Sequence, residues 1–270
     1  MKALASLLLV MAFVTGGPRA QAGQVCSQEP PTVSEIERGM ALAQATADKL
    51  DASGAQVLLL ARAGQDLGKY GLRWSHLGYV YRDEAGRWRV LHKLNECASA
   101  QGSIYRQGLG EFFMDRPYRY EAAYAVLKPE LQAALLPLLR ENGRVLALNE
   151  PHYNMLAYPF STRYQQSNQW ALETLVLAAR PRTASREQAQ AWLQLEGYRP
   201  TTLHLSAFTR LGANVTRANI AFDDHPNAKR FAGRIETVTA DSMFVWLHSA
   251  GLVEKAEVIA SENSGNQPTQ

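Results

Sequence analysis

His76 and His92 are the residues in this sequence most able to do chemistry, because of their spacing about a turn. Residues 75–82 alternate with the period of a strand. Ser75, Leu77, Tyr79 and Tyr81 fall on one side; His76, Gly78, Val80 and Arg82 fall on the other. Asp83-Glu84-Ala85-Gly86 is a polar turn ending in Gly, and Arg87 to His92 is the return strand. A three-residue loop of Glu84, Ala85 and Gly86, with Gly left-handed, pairs Asp83 with Arg87. Counting back from that pair sets Gly78 opposite His92. His76 then lies diagonal to His92 on the same face, roughly 7–8 Å away at Cα. Two imidazoles so placed can share a proton path or grip one water. A loop one residue shorter would turn His92 to the other face. Gly78 leaves room for a close approach by another element. The plainer alternative is that both are semi-buried strand residues.

Much further on, Tyr164-Gln165-Gln166-Ser167-Asn168-Gln169-Trp170 opens a helix. Ser167 suits the N-cap. The N–H groups and dipole of a helix N-terminus can hold an oxyanion. Gln165, Gln166 and Asn168 are neutral donors suited to an oxyanion or a bound carbonyl. The reading is that this piece meets the hairpin in one site. Asp223-Asp224-His225 has metal-ligand residue types, but neighbours on one loop seldom converge on one ion, so no metal is expected. No phosphate-binding Gly loop and no Cys-x-x-C occurs, and no cofactor is expected. Trp74, with Trp88, Phe112 and Phe113, reads as core or pocket wall.

The surrounding elements follow from local signals. Ser34 with Glu37 is a capping-box pattern ahead of a helix carrying Ile36, Met40, Ala43, Ala47 and Leu50. Residues 56–62 form a short apolar run that predicts a buried strand, and 118–127 another. After Cys97 the composition turns loop-like to Phe113. Pro129 opens a helix through Leu139; 144–148 reads as a short strand. Helices are predicted from Ser167 to Ala179, from the Ser185 cap to Leu195, over 205–211, and from Thr239 or Asp241 to Gly251. Residues 234–238 read as a strand. The expected organisation is one domain over 23–255, with a core at about 55–180 and a helical extension over 181–255. A polar tail over 256–270 is expected to be disordered.

Composition and address limit the function. The chain has 270 residues and a formal charge of +3. Residues 1–22 read as a secretory signal: Lys2, an apolar run from Leu4 to Val14, and Ala20-Gln21-Ala22 as the cleavage site. Removing Lys2 and Arg19 leaves 26 basic against 25 acidic residues, a charge of +1. That gives no support for nucleic-acid binding. No lipobox precedes Cys26 and no later stretch is long and apolar enough to span, so no transmembrane anchor is expected after cleavage. The expected location is periplasmic or secreted. Cys26 and Cys97 are the two cysteines, and an oxidising compartment favours their pairing as a disulfide. The rival is Cys97 as a catalytic thiol beside His92.

A strand with Ser75-His76-Leu77-Gly78, a hairpin, a second His and a distant Gln-x-x-Asn-x-Trp helix resemble the circularly permuted papain-like superfamily. That permuted NlpC/P60 group includes lecithin retinol acyltransferase-like and YiiX-like proteins. More narrowly, most of the mature chain looks like the bacterial family of unknown function DUF2145. The resemblance implies an α+β papain-like fold: an antiparallel sheet packed on helices, with a helical C-terminal extension. It implies that His76 is the base and that His92 orients it, with Asn95 as the fallback. The nucleophile position, a Cys in that superfamily, falls on Ser167. A hydroxyl is a weaker nucleophile than a thiol and needs a stronger base. Two functions follow. One is an exported hydrolase or acyltransferase acting on an amide or ester bond, with Ser167 attacking and His76 as base and then acid. The other is a binding or scaffold protein that lost catalysis when Cys became Ser. The partner in either case is an envelope peptide or lipid amide or ester.

Overall fold

The computed structural model describes residues 29–97 and 99–260, with the side chains of residues 214–216 left aside. The expected signal over 1–22 and Cys26 lie outside the described residues.

The elements run α1 (Val33–Ala52), β1 (Val57–Arg62), a 3-10 turn (Gly68–Tyr70), β2 (His76–Arg82), β3 (Trp88–Asn95), β4 (Gly102–Gly108), α2 (Leu109–Phe113), β5 (Glu121–Val126), α3 (Pro129–Arg140), α4 (Asn142–Val145), α5 (Ser167–Ala179), α6 (Arg186–Leu195), β6 (Thr201–His204), α7 (Ala207–Thr216), α8 (Asn227–Phe231), β7 (Arg234–Thr237), α9 (Ala240–Ser249) and β8 (Glu257–Ala260). Six strands form one antiparallel sheet in the order β4-β3-β2-β1-β5-β8, and β6 with β7 form a separate ribbon. This is the mixed α+β antiparallel sheet packed with helices that the sequence implied.

Both faces of the sheet are covered, so the inner strand β1 is buried at every position and apolar up to its last residue, Arg62. On one face Leu59, Leu77 and Tyr79 pack on Leu135 of α3, Trp170 and Leu175 of α5, and Leu247 of α9. On the other, Leu58, Leu60, Val80 and Val90 pack on Leu42 and Leu50 of α1 and on Phe112 and Phe113 of α2. A third, smaller cluster of Leu203, Leu205, Ile220, Phe222 and Ile235 sits under the ribbon.

Several boundaries differ from expectation. The capping box of α1 is Thr32 with Glu35, two residues before the expected pair. Its buried stripe is Leu42, Ala43, Thr46 and Leu50, while Ile36 and Met40 are exposed. Residues 144–148 are a helical turn and its exit rather than a strand. The stretch after Cys97 holds a strand, β4, whose glycine-bounded sequence carries no alternation to betray it. The part beyond 180 is not purely helical: it supplies β6, β7 and β8. The tail expected to be disordered from 256 begins with β8, which pairs with β5. No helix among the described residues is long and apolar enough to cross a membrane.

Candidate functional site

The hairpin has the expected register. Asp83 N–H donates to Arg87 O at 2.9 Å, and Gly86 is left-handed at φ +76°. Tyr79 pairs with Leu91, so one step further Gly78 faces His92. The close approach that Gly78 permits is that of His92 itself: a Cβ at 78 would lie 2.8 Å from His92 Cβ and 3.0 Å from Leu91 O. Gly78→Ala should therefore cost about 1–3 kcal/mol through overpacking, a cost larger than the roughly 0.4–1 kcal/mol gained from a stiffer unfolded chain. A urea midpoint lowered at constant m checks it.

His76 and His92 meet directly, with His76 Nε2 and His92 Nδ1 2.7 Å apart. His92 Nε2 is 2.8 Å from Gln107 Oε1, and Gln107 Nε2 donates to Glu111 Oε1 at 3.1 Å. The chain fixes the tautomers. A carboxylate can only accept, so the Gln107 amide N–H₂ faces Glu111 and its oxygen faces His92. His92 must then carry its proton on Nε2 and accept at Nδ1 from His76 Nε2–H. His76 is left with its lone pair on Nδ1. Burial, then the neighbouring His92, then the Arg62 guanidinium hold the His76 imidazole well below its ordinary range. Burial, then Arg62, push His92 down to about 3, against a weaker opposing effect of Gln107. Both rings are therefore neutral at neutral pH. Arg62 is held by Asp115 at 2.6 Å and stacks on the Phe112 ring. Phe112 packs against both imidazoles, with ring centroids 6.0 and 5.2 Å away.

Those contacts place the histidine rings on the α2 face of the sheet. Helix α5 is on the other face, where Tyr79 Oη donates to Ala171 O at 2.6 Å and Tyr79 packs on Trp170. Ser167 is the first residue of α5 rather than its cap. Gln166 is the cap, its Oε1 accepting from Asn168 N–H at 3.0 Å. Ser167 Oγ is hydrogen-bonded to Tyr153 Oη at 3.2 Å, and Tyr153 is a buried phenol whose pKa burial raises.

The neighbouring amides are engaged. Gln165 Oε1 accepts from Lys93 Nζ at 2.8 Å and Glu150 N at 3.0 Å; its Nε2 donates to Leu148 O at 2.8 Å and Glu173 Oε2 at 2.5 Å. That is its full capacity. Gln166 Nε2 donates to Thr237 Oγ1 at 3.1 Å and to Val238 O. Asn168 Oδ1 accepts from Leu77 N–H at 3.0 Å, which ties α5 to β2. Asn95 closes its own turn to Ser99 O and Gln101 O and accepts from Asn219 Nδ2 at 2.7 Å, so it takes no part in orienting His76. Trp74 is buried, its backbone N–H donating to Asp241 Oδ2.

What brings these residues together is a cavity of about 520 Å³ between the start of α5, the 3-10 turn and the β6–β7 ribbon. His76, Ser75, Trp74, Tyr153, Gln166, Ser167 and Asn168 border it. Gln165 and Asn95 do not. Cys97 does not border it either, and no disulfide is seen among the described residues; the expected partner Cys26 lies outside them. His225 is used structurally, with Nε2 on Glu236 O and Nδ1 on Asp224, and no metal-binding cluster of three such residues occurs among the described residues.

The sequence reading missed a buried polar network behind the site. Glu173, fully buried, accepts from Arg186 Nε at 2.8 Å and from Gln190 Nε2 at 2.8 Å as well as from Gln165. Arg186 also donates to Thr162 O and Tyr164 O. Lys93 extends the network to Glu150 O. The available signal was the helix's one acid, Glu173, set among Trp170, Leu172, Leu175 and Val176.

The model of a protein family described as "Uncharacterized protein conserved in bacteria (DUF2145)" matches residues 49–247. No curated protein and no solved structure matches the chain.

Proposed function

The chain belongs to the DUF2145 family of uncharacterized bacterial proteins, and from that premise and the geometry of its site we propose that it is a binding protein. It encloses a small ligand in the cavity beside α5 and does not cleave it. The carrying observation is that the two groups a hydrolase would use are each bonded elsewhere: Ser167 Oγ to Tyr153, His76 Nε2 to His92, from opposite faces of the sheet. A serine needs a base on its hydroxyl to attack. We read the fold as that of the circularly permuted papain-like superfamily with its cysteine nucleophile replaced by Ser167. The location that goes with this reading is the periplasm or the medium, by way of the signal over residues 1–22.

One observation favours the second reading, an exported hydrolase or acyltransferase of amides or esters. His76 and Ser167 border the same cavity, and the Glu111–Gln107–His92 chain leaves His76 a lone pair on Nδ1. That is the state a general base requires.

Labelling with a fluorophosphonate serine probe separates the two. The binding reading expects no label on the purified wild-type protein. Labelling of the wild type that both Ser167→Ala and His76→Ala abolish would establish an activated serine and sink that reading.

A further inference from the structure

The cavity is divided by chemistry. Its inner end is polar and uncharged. Ser167 with Tyr153 and Gln166 with Thr237 are joined there by hydrogen bonds, beside His76. The charged residues that border the cavity, Asp66, Lys69 and Arg217, are all exposed and so stand at its rim. Between lies hydrocarbon. Leu203, Leu205 and Ile220 form a buried floor from the third cluster. Leu67, Tyr70, Leu72, Met155 and Leu156 line the walls and are each only half-buried.

Half-exposed leucine and methionine side chains gathered on one concavity are unfavourable in water and mark a surface that an apolar group covers. A peptide backbone would find little there. It needs donors and acceptors along its length, and the amides of Gln166 and Asn168 are already engaged with Val238 and Leu77. A charged head group at the inner end would meet no counter-charge.

We infer that the cavity takes a single acyl chain carrying a neutral, hydrogen-bonding head such as an amide or ester. The chain lies on the Leu203–Leu205–Ile220 floor, and the head lies against the Ser167 and Tyr153 hydroxyls. This names the ligand class of the binding function proposed above and rests on that reading.

The test is titration calorimetry of the folded protein with N-octanoylglycinamide and with N-acetylglycinamide. Burying methylenes gains roughly tenfold in affinity for every two. The octanoyl compound should therefore bind at least about 100-fold more tightly than the acetyl compound, with a negative heat-capacity change. Leu72→Gln with Leu156→Gln changes two half-buried wall positions and, in protein whose urea midpoint shows it folded, should weaken octanoyl binding at least about tenfold. Equal affinity for both amides would overturn the acyl assignment and leave a binding protein for the polar head. Octanoyl binding untouched by the wall substitutions would place the chain elsewhere and also overturn it. Binding of neither amide would overturn both. Release of free octanoate during the titration would sustain the acyl assignment and overturn the non-hydrolytic reading.

Discussion

Replacing Glu173 with alanine should destabilise the protein by about 3–5 kcal/mol, the range for removing one partner of a buried ion pair. The carboxylate is fully buried and accepts from Arg186, Gln165 and Gln190. Its loss strands the Arg186 guanidinium, whose side chain is 9% exposed. Burying an unpaired charge costs more than the pair itself contributes. The effect should also reach the cavity, because Gln165 is held by Glu173 and stands two residues before Ser167. Urea unfolding measures the first consequence. A loss under about 1 kcal/mol would show that Arg186 finds water or another partner.

Acidification should weaken the protein before its carboxylates titrate. His76 and His92 are held below the ordinary value of 6.5, His92 at about 3. Between those limits the unfolded chain binds protons that the folded chain refuses. The stability from these groups is therefore full above about pH 6.5 and declines as pH falls toward 3, by several kcal/mol over the window. Asp83, drawn to about 2 chiefly by the backbone N–H of Arg87, loses its contribution only below its ordinary value of 3.8. The interval from pH 6.5 to 5 is therefore where the histidine pair weighs most, above the ordinary 4.5 of Glu35 and Glu187, whose carboxyls hydrogen bonds also draw down. Thermal unfolding at pH 7 and pH 5 should show the drop, and His92→Gln, which takes up no proton, should lessen it and leave the share of His76. An unchanged melting temperature for the wild type across that interval would mean that the pair is open to solvent.

The hairpin was legible because every cue to it is local. A period-two pattern, an Asp at the start of the turn and a Gly at its end fix the register, and the register fixes the meeting of His76 with His92. Helix α5 was legible in the same way, from Ser167 to Ala179. The relation between the two pieces was not. Which face of the sheet receives α5 depends on how Leu77, Tyr79 and Trp170 pack across the fold, and parity along β2 then sends His76 to the opposite face. Gln165 and Asn168 looked like donors waiting for a ligand because their acceptors, Leu148 for Gln165 and Val238 for Asn168 among them, lie outside the local pattern. The strands β4, β6 and β8 were lost for want of pattern: β6 and β8 are four residues long, β4 carries no alternation, and each is held by pairing with a neighbouring strand.

The last of these, β8, has a bearing on how the chain assembles. It covers the outer edge of β5 and buries Ile259 in the cluster under α1, so the sheet is completed by residues 257–260 against a helix that starts at residue 33. Contacts so distant in sequence make folding slow. Until that strand docks, β5 shows an open row of N–H and C=O groups, with Ala122, Ala123, Tyr124 and Ala125 along it. Such an edge is a template for another chain. A protein cut back before Glu257 keeps the cavity and both histidines, yet its characteristic failure is aggregation rather than lost ligand affinity.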